Sequence, residues 1–202
     1  MELLVVFAVL AFGLQVAKSR EQAQRIALLG GFLGKFRIEK LMEDLLTGYQ
    51  RALGEADPDR QAQVWRHLEP TEHNLSEQFS RFVLAFAEVY SAQAAVSRLP
   101  VALPFVSKAI PASTFDLRKL LAVHGHGIGQ AELNAQGLPL KQRAYALMAE
   151  LLLMQHSCHW FCRSKVVASA RMQARHQTSY EQLLGAVSPE TRQAYLAVVN
   201  RP

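Results

Sequence analysis

His156, Cys158, His159 and Cys162 fall in one short stretch, and His124-Gly-His126-Gly precedes it. Thiolates and imidazoles ligate zinc or haem iron, and two cysteines four apart on a helix point the same way. His159 or His156 adds a nitrogen, and His124 and His126 complete a tetrahedral set. The same residues also admit plainer roles. Free cysteine is commonly a small apolar core residue, and a lone His-x-His is an unspecific motif. Neither Cys-x-x-Cys nor His-Glu-x-x-His occurs. Spacing alone therefore leaves a zinc or haem site, thiol redox chemistry and simple packing all open.

Other catalytic signatures are weaker still. The run His124-Gly-His-Gly-Ile-Gly129 lacks the Gly-Lys-Ser/Thr ending of a phosphate loop. Glu88 lies on the polar side of its helix with no partner carboxylate evident for acid–base work. These features favour a non-catalytic protein over an enzyme.

The elements that must position these residues are helices. Half of the residues are hydrophobic, with eight prolines and eleven glycines in 202 residues, a composition that favours helix and argues against disorder. Pro139 suits a first helical position, and Leu147, Leu151, Met154, Cys158 and Cys162 then recur on one stripe. Residues 139–176 are expected to form the longest uninterrupted helix, one-sided toward the core. The His-Gly-His-Gly run is expected to be the turn that ends a short helix over 115–123, itself begun by the capping-box-like Ser113-Thr-Phe-Asp116.

Upstream, Phe36, Leu41, Met42, Leu45 and Tyr49 mark an amphipathic helix over 32–53. Asp57-Pro58 opens a short helix to Pro70, and Thr71 caps a long one to about residue 97, with Leu75, Phe79, Phe82, Phe86, Val89 and Tyr90 inward. Residues 178–186 and a segment beginning at Ser188-Pro189 supply the last two. The expected fold is an all-α helical bundle of about five or six helices with an N-terminal hydrophobic helix.

That N-terminal helix is the second informative stretch. Residues 3–17 carry no charge, with Leu3, Val5, Phe7, Leu10, Phe12 and Leu14 among their apolar side chains and Lys18 and Arg20 immediately after. Basic residues following the apolar run, rather than preceding it, argue against a cleaved signal peptide. They predict a membrane anchor oriented N-out and C-in, with the following domain at the cytoplasmic face of an inner membrane. Fifteen helical residues reach ~22 Å against a hydrocarbon core of ~30 Å, so snorkelling Lys18 or Arg20 and some bilayer thinning would help. The alternative is a core helix of a soluble cytoplasmic protein. The division expected is an anchor at 1–17, a charged connector with a Gly30-Gly31 hinge at 18–31, and one helical domain at 32–202.

Prolines at 100, 104 and 111 interrupt an otherwise apolar connector over 99–112. Pro100, Leu103, Pro104, Phe105 and Ile110 are its candidate partner-binding residues, since long ordered loops are often functional. The net charge of +5 resides in the C-terminal third, where eight basic residues from Lys141 to Arg201 face three glutamates. Such a face is first of all expected to be a solvated surface with no specific partner; it also suits an anionic membrane or an acidic partner, with nucleic acid the last choice because no reader motif accompanies it. Two cysteines four apart on a helix make no disulfide framework and fit a reducing compartment. The functional expectation is a membrane-tethered helical scaffold or adaptor of a larger assembly. The alternative is a metal- or haem-binding helical protein.

Overall fold

Amphipathic periodicity builds most of this molecule, and the computed structural model describes residues 2–200, with the backbone alone at Leu3 and Lys108. Arg201, among the basic residues counted above, lies outside the described residues. The fold is all-α apart from one two-stranded ribbon.

Helix α1 (Glu2–Leu33) is continuous through Gly30-Gly31, so the expected hinge is not there. The chain turns instead at 34–37, where Gly34 N donates to Gly30 O and Phe36 N to Leu33 O. Helix α2 (Ile38–Gly54) buries Ile38, Leu41, Met42, Leu45, Tyr49 and Ala52, one face at helical spacing. Helix α3 (Pro58–Ala87) starts where Asp57 accepts from the amides of Asp59 and Arg60, with Pro58 at its first turn.

The expected break at Pro70 does not occur. Pro70 is exposed while Leu68, Glu72 and Leu75 on either side are buried. The packed face on both sides holds the helix together across the one hydrogen bond that proline forfeits. α3 ends at Ala87, ten residues earlier than expected, which leaves Tyr90 80% exposed rather than inward.

Short α4 (Ser91–Ala94) leads into β1 (Ala95–Ser97). After α5 (Val106–Ala109) and a single 3-10 turn, β2 (Thr114–Asp116) pairs antiparallel with β1, in register Val96 to Phe115. These strands, which no periodicity in the sequence announces, clamp the two ends of the proline-rich connector. Trp160 Nε1 donates to Ser97 O at 2.9 Å, and its ring meets Phe115 edge-on at 5.1 Å. Arg98 adds bonds to the carbonyls of Ala112 and Val199.

Helix α6 (Leu117–Glu132), capped by Asp116, runs straight through His124-Gly-His-Gly-Ile-Gly129, which is therefore not a turn. Its glycines serve close packing. A Cβ at Gly125 would stand 3.3 Å from Val83 Cγ2, and one at Gly127 would stand 2.5 Å from both Glu150 Oε2 and Thr191 Oγ1.

Helix α7 (Leu140–Cys162) is the central element, buried nearly all round rather than on one stripe, with Ala149, Glu150, Leu153, His156, Ser157 and Trp160 all inside. Arg163 leaves helical geometry, and Ser164 caps α8 (Lys165–His176) by accepting from Val167 N. So the expected single helix over 139–176 is two, and α1 and α3 are both longer than either. Helices α9 (Tyr180–Ala186), opened by a capping box at Ser179 and Gln182, and α10 (Pro189–Asn200) close the bundle.

Candidate functional site

The six histidine and cysteine side chains expected to share a metal do not converge. Because α6 is a continuous helix, residues two apart lie on opposite sides: His124 is fully buried and His126 is exposed. His124 Nε2 meets Ser157 Oγ at 2.9 Å. His156 Nε2 meets Ser169 Oγ at 3.1 Å, and its ring stacks on Tyr180 at 4.8 Å. His159 Nδ1 faces the Arg171 guanidinium at 3.2 Å. Cys158 Sγ packs against Met154 Sδ at 3.8 Å, and Cys162 is half-buried. Among the described residues, no three His, Cys, Asp or Glu side chains are placed to hold a metal ion. Cys158, Cys162, His159, His156, His124 and His126 are therefore not brought together as one tetrahedral ligand set among the described residues.

Electrostatics agree with packing. Burial pushes the Cys158 thiol up to about 12 and the Cys162 thiol up to about 11, far from the thiolate that metal or redox chemistry needs. Burial pulls His124 down to about 3, and burial with the nearby Lys165 charge pulls His156 down to about 4. Both imidazoles are neutral at ordinary pH.

The Ser157–His124 pair has the separation of a nucleophile and its base but the wrong polarity. The Ser157 hydroxyl donates its one proton to Leu153 O at 3.0 Å, so it accepts from His124 Nε2–H. His124 is then a donor to the serine rather than a base toward it, and Ser157 is 1% exposed.

Sequence reasoning missed the buried carboxyls. Glu150 is 1% exposed; its Oε1 accepts from Ser188 N at 3.2 Å, and its Oε2 has no hydrogen-bond partner. Burial raises its pKa to about 7, although the nearby Thr191 hydroxyl and the Ser188 amide favour the carboxylate. The signal was available in the apolar flanks of Glu150, with Leu147, Leu151 and Leu153 around it. Glu72 is likewise buried. It accepts from Tyr49 OH at 2.5 Å and pairs with the Arg143 guanidinium, beside a cleft of about 270 Å³ walled by Trp65, Arg66 and Leu140. Arg66 and Glu69 also line the cleft, so its two guanidiniums and two carboxylates sum to no net charge.

The remaining feature is a surface. The first half of α1 stands clear of the bundle: Leu4, Val5, Val6, Phe7, Val9, Leu10, Phe12 and Leu14 are 54–78% exposed, on every side of the helix. The side chain of Leu3, also expected in the anchor, lies outside the described residues. Docking begins only near Lys18, which is half-buried, while Arg20 is exposed. Arg25 donates to Glu21 and to Phe161 O, and Arg163 donates to Gln22 Oε1 at 2.7 Å.

The proline-rich connector lies against this docking point. Phe105 N donates to Glu21 Oε2 at 3.1 Å. Leu103, Phe105 and Ile110 are 53–54% exposed, Pro100 is exposed and Pro104 half-buried. Phe105 adopts φ +64°, a left-handed conformation that strains a bulky residue and is held here by its surroundings. Among the described residues no helix is long and apolar enough to cross a membrane. Compared with protein-family models, with curated proteins and with solved structures, the chain matches none.

Proposed function

We propose that this protein is a membrane-tethered helical scaffold or adaptor, held to the bilayer by the apolar first half of α1 and presenting its bundle on the cytoplasmic face. The observation that carries the proposal is the all-round exposure of the side chains from Leu4 to Leu14, which no other part of the described chain covers. Eight large apolar side chains gain on the order of 10 kcal/mol on transfer out of water, a strong drive toward lipid. The run reaches ~22 Å into a hydrocarbon core of ~30 Å, so insertion thins the bilayer locally or stops short of the far leaflet. Lys18 and Arg20 at its end favour the N-out, C-in orientation and can snorkel to the headgroups.

The proposal assigns no catalytic role to the interior. Its serine, histidine and cysteine side chains are bonded to their neighbours or buried as neutral groups. Carbonate-washed membranes from cells making the full chain, or a chain without residues 1–17, test the tether. Retention of the full chain alone supports it; a full chain released by the wash overturns it.

A further inference from the structure

Once residues 2–17 occupy a bilayer, the position of the proline-rich connector is fixed by its bond to α1. Glu21, whose carboxylate accepts from Phe105 N, stands four residues beyond Ala17, or ~6 Å along the helix axis. The headgroup layer of one leaflet is itself ~5–7 Å deep. The connector therefore lies within that layer and not above it.

What it presents there is apolar. Val101, Leu103, Phe105 and Ile110 are each just over half exposed, and Val166 at the start of α8, whose amide donates to Pro100 O, adds another half-exposed side chain. The loop is built in advance. The β1–β2 ribbon ties its two ends, and Arg98 bonds across them to Ala112 O. Charge at this end is predominantly positive: Lys18, Arg25 and Arg163 line the same cleft as Glu21, whose carboxylate is already paired with Arg25. Apolar side chains rimmed by cations are the arrangement that seats in the boundary between anionic headgroups and acyl chains.

We propose that the connector over 99–112, with Val166, is a second membrane contact that inserts into the interfacial layer of an anionic bilayer and fixes the tilt of the bundle against it. This rests on the tether by residues 2–17 and adds to it a defined face.

The test uses the full chain with phosphatidylcholine vesicles, with and without phosphatidylglycerol. An environment-sensitive fluorophore is placed through Leu103→Cys in a Cys162→Ser background, and a control through Gln63→Cys, exposed at the opposite end of α3. With anionic vesicles the label at 103 shifts to the blue and is quenched by lipids carrying a quencher high on the acyl chain; the label at 63 does neither. Phe105→Glu with Ile110→Glu weakens vesicle partitioning roughly tenfold or more while leaving the helical spectrum intact. If the full chain floats with vesicles while the label at 103 stays in water, the connector proposal is overturned and the tether stands. If the chain does not float at all, the tether has failed. A blue shift that depends on protein concentration and needs no vesicles would mean that a second copy covers the loop, and would also overturn the proposal.

Discussion

Glu150 is a buried acid whose ionisation the fold resists, and its replacement by glutamine gives a prediction with a sign and a size. Its pKa rises from 4.5 to about 7 because burial disfavours the carboxylate. Between those two values the unfolded chain has released its proton while the native state keeps it, so stability falls as pH rises through the window. At 1.36 kcal/mol per pH unit the loss totals about 3 kcal/mol, reached above the folded pKa and absent below the unfolded one. For a domain of ordinary stability that is a large fraction of the total.

Glu150→Gln keeps the shape and removes the charge. Its unfolding free energy should match the parent at about pH 4.5 and exceed it by about 3 kcal/mol at about pH 8. Only the difference between the two proteins isolates this effect, because His124 and His156 pull the other way. Their folded pKa values of about 3 and 4 lie below the ordinary value of 6.5, so the stability they confer is complete above 6.5 and is lost as pH falls toward the lower values. Both proteins share that loss. Urea unfolding of the full chain in micelles, followed by Trp65 and Trp160 fluorescence across this range, reads the difference directly. A difference that does not change with pH would mean that Glu150 has the same charge in both states, and would refute the reasoning.

Two further substitutions probe the packing around the same helices. Gly127→Ala places a Cβ 2.5 Å from Glu150 Oε2 and Thr191 Oγ1. It should destabilise by about 1–2 kcal/mol despite alanine's better helix propensity, whereas Gly31→Ala in α1, with nothing within 4 Å, should stabilise by about 0.5–1 kcal/mol. Denaturation midpoints compare the two, and equal signs would contradict the close approach of α6 to α7. Arg143→Met leaves the buried Glu72 carboxylate with Tyr49 alone and should cost about 3–5 kcal/mol near neutral pH. Adding Glu72→Gln should recover much of that loss in the same assay, and no recovery would count against the pair.

Strong periodicity made much of this fold legible. The stripe Leu41, Met42, Leu45 and Tyr49 and the aromatics Phe79, Phe82 and Phe86 pointed inward in sequence and are buried. Punctuation was less reliable, because proline, glycine and helix breaks are decided by what packs alongside. Pro70 is tolerated since its neighbours are buried on both sides. Gly125 and Gly127 are helical since α3 and α7 come close. The helix over 139–176 breaks at Arg163, where no proline or glycine marks it. The β1–β2 ribbon is three residues per strand, too short to show alternation.

Of the candidate sites, the histidine–cysteine spacing did not become one ligand set once each residue had a direction. The apolar run after Met1 and the connector kept their exposed apolar character. Glu150 was legible in its apolar flanks, whereas Glu72, set among polar neighbours, looks the same in a sequence whether a helix buries it or not.

The most direct measurement is flotation of the purified full chain with anionic vesicles, beside Leu10→Arg. Exchanging leucine for arginine in the middle of the apolar run costs about 3 kcal/mol of insertion, or more than a hundredfold in partitioning. The tether predicts that the full chain floats and that Leu10→Arg stays behind as a folded, helical protein. Equal flotation of the two, or a full chain that remains in solution and monodisperse, would contradict it.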